Sequence, residues 1–424
     1  MVRHLPKFSK FLKTVTFRQT SITVIATMIN GILGFIFFAV LARYLGPVNF
    51  GLFITTITVL TLMSDIADLG VNTSIVKFAA SLQARSDSER EVLKIGLVTK
   101  IIVSLTVAVI GYLLSDIIAN TLFNKSDLVF PLRLASLGVI GALLFSYVTS
   151  YLQAKSRFLS WGGLNISLNL GRLILIGLLV SSQSLTILNS LIAYLIFPIL
   201  GFVIALGFMP IIKILTVKVP SESISQFFNY SKWAAVFIAI TALSSRVDIF
   251  LSARILNTQQ LGFYVAAAQL LVVIPQLASA LGLVFSPKYS NFSSLGSMIS
   301  YYKKTQILVI IPSVVALLLI PFASFIIQLT YGEEYIAAAP IFVILLLAML
   351  IFLISIPIHN AILYYFSDSK FFTFLSFGHI IIMLTVGFYL ISQYQAVGTA
   401  LAVLIGSLFN LLVPGFYLFR RIRK

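Results

Sequence analysis

The sequence contains no cysteine, only two tryptophans and three histidines, and just twelve acidic residues among 424 positions. Without cysteine, disulfides, thiolate-bound zinc and thiol nucleophiles are excluded. The few acidic residues and histidines show neither the spacing of a metal site nor a nucleophile–base cluster. A glycine-rich phosphate loop is absent as well. No cofactor and no metal site are therefore predicted.

Apolar residues dominate what is present. The chain is 59% hydrophobic and only 10% charged, with a mean hydropathy of +1.07. A soluble protein of this length could not bury so much apolar surface, so the solvent must be lipid. The apolar runs are about twenty residues long, the length of a transmembrane helix, whereas a β-barrel has alternating segments of roughly ten residues. The predicted fold class is an all-α polytopic membrane protein.

About twelve spanning segments follow from these runs. No loop between them is long enough to form a domain. A linker near 212–232, which contains Pro220 and several serines, separates six segments from the other six. We therefore predict an N-terminal lobe, residues 1–215, and a C-terminal lobe, residues 216–424. The segments lie near 20–42, 51–76, 95–115, 131–152, 161–181, 186–211, 233–252, 262–285, 306–329, 337–363, 371–391 and 396–418.

One stretch occurs twice. LARYLGPVNFGLF at 41–53 aligns without gaps with SARILNTQQLGFY at 252–264, an offset of 211 residues in a chain of 424. Both copies form a short polar turn between two apolar runs, which indicates a duplicated membrane unit. We therefore expect two pseudo-symmetric six-helix lobes around a central cavity. The matching pairs are Ala42 with Ala253, Arg43 with Arg254, Leu45 with Leu256, Gly51 with Gly262 and Phe53 with Tyr264.

The net charge of +17 is explained by where the basic residues lie. Of the 29 lysines and arginines, 22 fall in the N-terminal arm, the C-terminal tail and the loops on one side of the predicted spans. This is the positive-inside pattern, so both termini are expected in the cytoplasm. The predicted partner of this charge is the bilayer, and no nucleic-acid partner is predicted.

Charged and polar side chains within the spans are candidates for function, because each is costly to place in lipid. Two groups form helical stripes: Asp65, Asp68 and Asn72 are spaced i, i+3 and i+7, and Asn165, Asn169 and Arg172 are spaced i, i+4 and i+7. The cations suit an anionic substrate such as a phosphate, and the carboxylates suit a proton or a cation. The predicted substrate-binding residues are Arg172, Arg246, Lys100, Asn165 and Asn169, and the predicted ion-coupling residues are Asp65, Asp68 and Asp248.

Structural explanations compete with these assignments. Polar stripes can simply hold helices together in lipid. Lys100 lies near the start of its segment, so its ammonium could reach the cytoplasmic interface. Asp65 and Arg172 could form a structural ion pair. His359 and His379 each stand alone in an apolar segment and are more typical of packing residues than of proton carriers.

Several stretches resemble a known family. LARYLGPVNFGLF, SDIADLGVNTSIVKFAA, SSRVDIFLSARIL with LGFYVAAAQL, and LTYGEEYIAAAPIFVILL, spread over residues 41 to 347, are similar to segments of Wzx-type polysaccharide flippases. These belong to the multidrug/oligosaccharidyl-lipid/polysaccharide exporter superfamily. At the level of single residues, the resemblance covers Asp68 and Gly70 in the DLG motif at 68–70, and Arg246 and Asp248 in the RVD motif at 246–248.

This resemblance implies two six-helix lobes with alternating access in a bacterial plasma membrane. The implied activity is flipping of an undecaprenyl-pyrophosphate-linked oligosaccharide to the outer leaflet, with ion coupling in some members. A glycan polymerase and a chain-length regulator are further candidate partners.

Two other functions compete with the flippase. A drug or cation antiporter of the same superfamily should have a carboxylate-dominated cavity, whereas cations are at least as prominent here. A membrane glycan polymerase or glycosyltransferase would need a sizeable loop or an acid–base cluster, and the sequence has neither. We therefore do not expect an enzyme.

Overall fold

The structure is a computed structural model that describes residues 15–82 and 86–423; the basic arm before Val15 lies outside them. Within these ranges all regular structure is helical, as predicted. Sixteen α-helices are numbered here in chain order: α1 Val15–Ala67, α2 Val71–Ser81, α3 Ser86–Ile117, α4 Val129–Ala154, α5 Phe158–Ser181, α6 Ile187–Leu206, α7 Ile211–Thr216, α8 Ser221–Ser244, α9 Val247–Ile255, α10 Thr258–Leu270, α11 Val273–Ser290, α12 Leu295–Ala316, α13 Ala323–Tyr331, α14 Ala339–Asn360, α15 Ser369–Ile382 and α16 Phe388–Arg423.

Eight helical stretches in the described ranges are long and apolar enough to cross a membrane, and two bent pairs, α8 with α9 and α10 with α11, raise the number to ten. Two of the long stretches are themselves broken. α1 leaves helical geometry at Gly46, with φ 70° and ψ 169°, and α16 does so at Gln395, with φ 54° and ψ −134°. Counting each broken stretch as two spans accounts for the twelve predicted segments.

Small residues let these helices approach closely. A Cβ added to Gly141 on α4 would lie 2.6 Å from the Ile199 side chain on α6. One added to Gly201 on α6 would lie 2.7 Å from the Phe145 ring on α4. Lipid is as apolar as these side chains, so close backbone packing replaces the hydrophobic effect in holding the helices together.

The contacts divide the chain into two compact units. Unit 1 contains the described residues up to Phe38 together with Thr56–Leu243, and unit 2 contains Ala39–Thr55 together with Ser244 and the residues that follow. The repeated turn of the N-terminal half thus belongs to the same unit as its C-terminal copy. The predicted lobes, residues 1–215 and 216–424, stay a prediction.

The two copies of the repeated turn touch each other within unit 2. A Cβ on Gly51 would overlap the carbonyl of Thr258 and lie 3.0 Å from the Gly262 nitrogen. A Cβ on Gly262 would overlap the carbonyl of Pro47. Pro47 and Thr258 are also related by the 211-residue offset, so each glycine packs on the same position of the other copy. Such reciprocity is the signature of a two-fold contact, and both glycines are required by close backbone approach.

Candidate functional site

The eight predicted site residues lie in both units. Unit 1 holds a network around Arg172 and a second network around Lys100 and Asp68. Unit 2 holds a cavity lined by Asp248. Within the described residues, no group of three or more histidine, aspartate or glutamate side chains could hold a metal ion.

Arg172 is held by polar and aromatic neighbours. Its Nη1 donates to Asn169 Oδ1 at 3.1 Å, and the Asn169 amide donates to Asn30 Oδ1 on α1 at 2.7 Å. The guanidinium carbon lies 4.4 Å from the ring centre of Tyr194 on α6. The predicted stripe on α5 therefore faces α1 and α6 and orients the guanidinium by one hydrogen bond and one cation–π contact.

One hydrogen-bond donor of this guanidinium, Nε, is not used by these contacts. Arg172 Nε is buried, and no hydrogen-bond partner is recorded for it within the described part of the chain. A buried charged donor without an acceptor is costly. An incoming anion that accepts from Nε would remove this cost, and planar guanidinium suits phosphate oxygens particularly well. The geometry of Arg172 is therefore suited to binding an anion.

Asn165, the third residue of the stripe, makes a hydrogen bond within its own helix. Its side-chain amide donates to the Trp161 carbonyl on its own helix at 2.8 Å. It lies one turn before Asn169 and remains half-buried. Of the three stripe residues, Asn169 and Arg172 are directly bonded to each other, and Asn165 contributes to the same face of α5 by its position.

The second network centres on a buried ion pair. Lys100 on α3 is fully buried and its ammonium contacts the Asp68 carboxylate just after α1. The ammonium also donates to Ser146 Oγ on α4 at 2.9 Å. Ser146 in turn lies 3.4 Å from Asn72 Oδ1 on α2. The Lys100 ammonium is thus held inside the helices, so the interfacial position that its place in the segment also allowed is wrong.

The backbone turn after α1 sets the position of Asp68. Leu69 and Gly70 both have positive φ, 50° and 72°, which ends α1 and starts α2. Ser231 on α8 donates its hydroxyl to the Leu69 carbonyl. A Cβ on Gly70 would overlap the Ser231 carbonyl, so glycine is required by both conformation and space. Asp65 lies in the last turn of α1 and is half-buried.

Unit 2 contains a cavity of about 300 Å³ with a carboxylate in its wall. Asp248 accepts a hydrogen bond from the Tyr264 hydroxyl. His379 on α15 lines the same cavity, and a Cβ on the neighbouring Gly406 would lie 2.7 Å from His379 Nε2. Further polar lining comes from Ser244, Ser407 and Asn410. A carboxylate, an imidazole and hydroxyls around one cavity, with a phenol bonded to the carboxylate, can exchange a proton or coordinate a small cation.

A helix break places Asp248 in this wall. α8 ends at Ser244 and α9 begins at Val247, with a 46° bend between them. Asp248 is in the first turn of α9, where the exposed N–H groups of the helix start favour a negative charge. Arg246 is the residue at the break itself and is half-buried. The predicted RVD motif therefore coincides with the bend.

Several partners of these residues were not among the sequence-predicted site residues, among them Asn30, Ser146, Tyr194, Tyr264 and His379. Ser146 and Tyr194 carry no signal, because a single serine or tyrosine in an apolar helix is common. Tyr264 did carry one: it differs from its repeat partner Phe53 only by the hydroxyl that binds Asp248. The sequence favours a packing role for His379, whereas the structure places it at the Asp248 cavity.

Comparison with known proteins agrees with this architecture. Residues 16–293 match the model of the family described as "Polysaccharide biosynthesis protein". A curated protein from Shigella flexneri named "Putative O-antigen transporter" is 22% identical over 306 residues, which is 70% of this chain and 72% of that protein.

Two solved structures share the fold. The lipid II flippase MurJ in an inward closed conformation superposes with a TM-score of 0.75 at 17% identity, covering 95% of this chain and 87% of MurJ. A multidrug resistance MATE family transporter of the MOP superfamily in an inward-facing conformation gives 0.76 at 13% identity, covering 95% and 98%. Such low identities establish the common fold alone.

The helical membrane fold and the charged groups inside it define a multi-pass membrane transporter. The family match covers well over half of the sequence. The chain belongs to the polysaccharide biosynthesis protein family, which confirms the family and the fold class predicted from the sequence.

Proposed function

We propose that this protein flips a lipid-linked oligosaccharide, an undecaprenyl-pyrophosphate-linked glycan, from the cytoplasmic to the outer leaflet of a bacterial plasma membrane. The observation that carries the proposal is Arg172, a guanidinium inside a membrane transporter of this family, with a buried Nε that lacks an acceptor. The family supplies the glycan context and Arg172 supplies a group that recognises phosphate. The physiological role would be cell-surface polysaccharide synthesis.

The substrate would be recognised mainly through its head group. Arg172 binds a phosphate oxygen, and Asn169 keeps the guanidinium in orientation. Asn165 offers a further amide on the same face of α5. Arg246 and Lys100 add positive charge, although Lys100 must first separate from Asp68 to do so. The lipid tail would stay in the bilayer.

Transport would proceed by alternating access and would be coupled to an ion. Asp248 is the main coupling residue in this proposal, because a proton or cation at its carboxylate would compete with the Tyr264 hydroxyl and change the local charge. Asp65 and Asp68 are the corresponding carboxylates of unit 1. Their release of an ion when a phosphate approaches would link the two binding events.

The orientation in this proposal follows the positive-inside rule: multi-pass in the inner membrane, with both termini in the cytoplasm. A glycan polymerase and a chain-length regulator would act on the exported units. The chemistry of these residues is binding and release, without a covalent step.

A deletion strain tests the proposal. We expect loss of surface polysaccharide and accumulation of the lipid-linked unit in the cytoplasmic leaflet. Complementation with wild type should restore export, and Arg172→Ala should not, although it reaches the membrane in normal amounts. Arg420→Ala, at an exposed arginine on α16 outside the proposed site, controls for a general loss of positive charge.

Two results would overturn the proposal. Normal surface glycan in the deletion strain would exclude a role in this export step. Altered sensitivity to cationic drugs together with normal glycan would instead establish the antiporter function, which the carboxylate of the Asp248 cavity would then serve.

A further inference from the structure

An open groove runs along the surface of unit 1 between α5 and α6. It encloses about 540 Å³. One wall consists of small residues on α5, spaced i, i+3 and i+7, and the other wall is apolar and comes from α6 and the residues just after it. The lining includes Ser160, Gly163, Ser167, Phe197, Leu200 and Phe208. A Cβ added to Gly163 would find no atom within 4 Å, so the groove is open at its centre.

One end of this groove is polar and positively charged. A second cavity of about 400 Å³ is lined by Gln19, Ser156 and Arg157 and shares Ser160 with the groove. Arg157 caps the start of α5 and is exposed. Among the residues that the structure describes, no hydrogen bond or ion pair engages its guanidinium. An apolar channel thus ends at a free cation near a helix end, where the bilayer surface is expected.

From this arrangement we propose that the α5–α6 groove binds the hydrocarbon tail of the lipid-linked substrate, with Arg157 contacting its phosphate. The assignment rests on the proposed function, and it adds a docking position for the lipid. Arg157 immediately precedes α5 and Arg172 lies on it, fifteen residues or about 22 Å further along the axis. A phosphate bound first at Arg157 would therefore meet a second guanidinium, that of Arg172, further along α5. Two successive phosphate-binding groups along one helix suit a lipid whose phosphate is moved during transport, so they favour the transported lipid over a bulk phospholipid.

The groove contributes contact and orientation rather than hydrophobic burial, because the tail is already in an apolar solvent. Its small residues allow the tail to contact the helix backbone, whereas larger side chains would keep the tail away from the backbone. The affinity comes from many weak atom contacts along the groove and from the phosphate contact at Arg157. Filling the groove should therefore weaken binding without affecting the charge, and removing the charge should act only on phosphate-bearing lipids.

The test measures binding of undecaprenyl phosphate to the purified full chain in nanodiscs of neutral phospholipid. Gly163→Leu fills the groove and should lower the affinity roughly tenfold, the equivalent of about ten lost atom contacts. Gly177→Leu is the matched control: it is on the same helix, exposed and equally open, with no atom within 4 Å of an added Cβ, and it does not line the groove. It should bind like wild type. Ser167→Leu provides a second groove-filling variant.

The head-group contact has its own comparison. Arg157→Gln should weaken binding of undecaprenyl phosphate about fivefold and leave binding of undecaprenol, which has no phosphate, unchanged. Size-exclusion profiles identical to wild type would establish that each variant is folded.

Three results would overturn the groove assignment: undetectable binding to wild type, equal affinity of Gly163→Leu and Gly177→Leu, or equally tight binding of phosphatidylglycerol in competition. The last result would make the groove a site for ordinary bilayer lipid. Failure of the proposed function is seen separately. Normal surface polysaccharide in the deletion strain would exclude the export role, while a selective loss of binding in Gly163→Leu would still support the groove.

Discussion

The buried ion pair of Lys100 and Asp68 should be strongly coupled energetically. The Lys100 side chain is 0% exposed and the Asp68 side chain 7%, so water does not screen the pair. Replacing one partner leaves a buried charge without its counter-ion, a loss of about 3–5 kcal/mol. We expect this cost for Lys100→Met and a similar one for Asp68→Asn. The variant with both substitutions removes the two charges together, and its cost should be well below the sum of the two singles.

The free energy of unfolding can be followed in mixed detergent micelles as the fraction of sodium dodecyl sulfate rises. The coupling energy from the four proteins should reach about 3 kcal/mol, within the range for residues in one network. Asp87→Asn serves as the control, because Asp87 pairs with Arg90 at 2.8 Å on the surface, with its side chain 77% exposed. That substitution should cost less than about 1 kcal/mol.

Additive losses in the double variant would refute the reasoning, because they would mean that the two charges are stabilised independently. A small loss in both single variants would refute it as well, since the site would then be hydrated. Ser146 and Asn72, which extend the network, offer the next positions to examine in either case.

Three further perturbations are expected to have defined outcomes. Gly262→Ala adds a Cβ that overlaps the Pro47 carbonyl; it should lower the yield of folded protein sharply in size-exclusion chromatography, and a normal yield would show that the two turns separate readily. Tyr264→Phe restores the residue type of the other repeat and removes the hydrogen bond to the Asp248 carboxylate; glycan export should change its dependence on the ion gradient, whereas unchanged dependence would exclude a coupling role. The Tyr417 hydroxyl, the Phe371 N–H and Arg421 hold the pKa of the Asp368 carboxyl below its usual value. Its stabilisation is therefore present above the pKa of an unfolded aspartate, about 3.9, and is lost as the pH falls through the lower folded value. Unfolding midpoints of wild type and Asp368→Asn should converge below that range, and a constant difference would contradict this.

Some parts of the candidate site could be read from the sequence because they depend on helix periodicity. Asn169 and Arg172 are one turn apart, and their side chains are bonded in the structure. The sequence marks Lys100 as costly in lipid, but its partner Asp68 lies 32 residues away, in the turn between α1 and α2. Periodicity describes one helix at a time, so it could not decide between an interfacial and a buried ammonium. That choice depended on how α1, α3 and α4 pack.

The repeated turn shows the same division. The 211-residue offset indicates a duplication, and Gly51 and Gly262 occupy equivalent positions in its two copies. Gly51 packs against Thr258, and Gly262 packs against Pro47. This reciprocal contact is visible only in the three-dimensional structure. From the sequence, one turn is expected in the N-terminal lobe and the other in the C-terminal lobe. In the structure, the contacts group residues 39–55 with the C-terminal copy in unit 2.

The sequence by itself determined that this is a helical membrane protein of about twelve spans with a duplicated unit and a charged interior. Lipid offers the backbone no hydrogen-bond partners, so a spanning segment must be a helix or part of a closed barrel, and apolar runs of about twenty residues fit the helix and give the number of spans. Only the tertiary structure decided which charges meet. The structure brings together residues of different elements: Lys100 with Asp68, Asp248 with Tyr264 and His379, and Arg172 with Tyr194. Such pairings follow from close packing at small residues, and no pattern along a single helix contains that information.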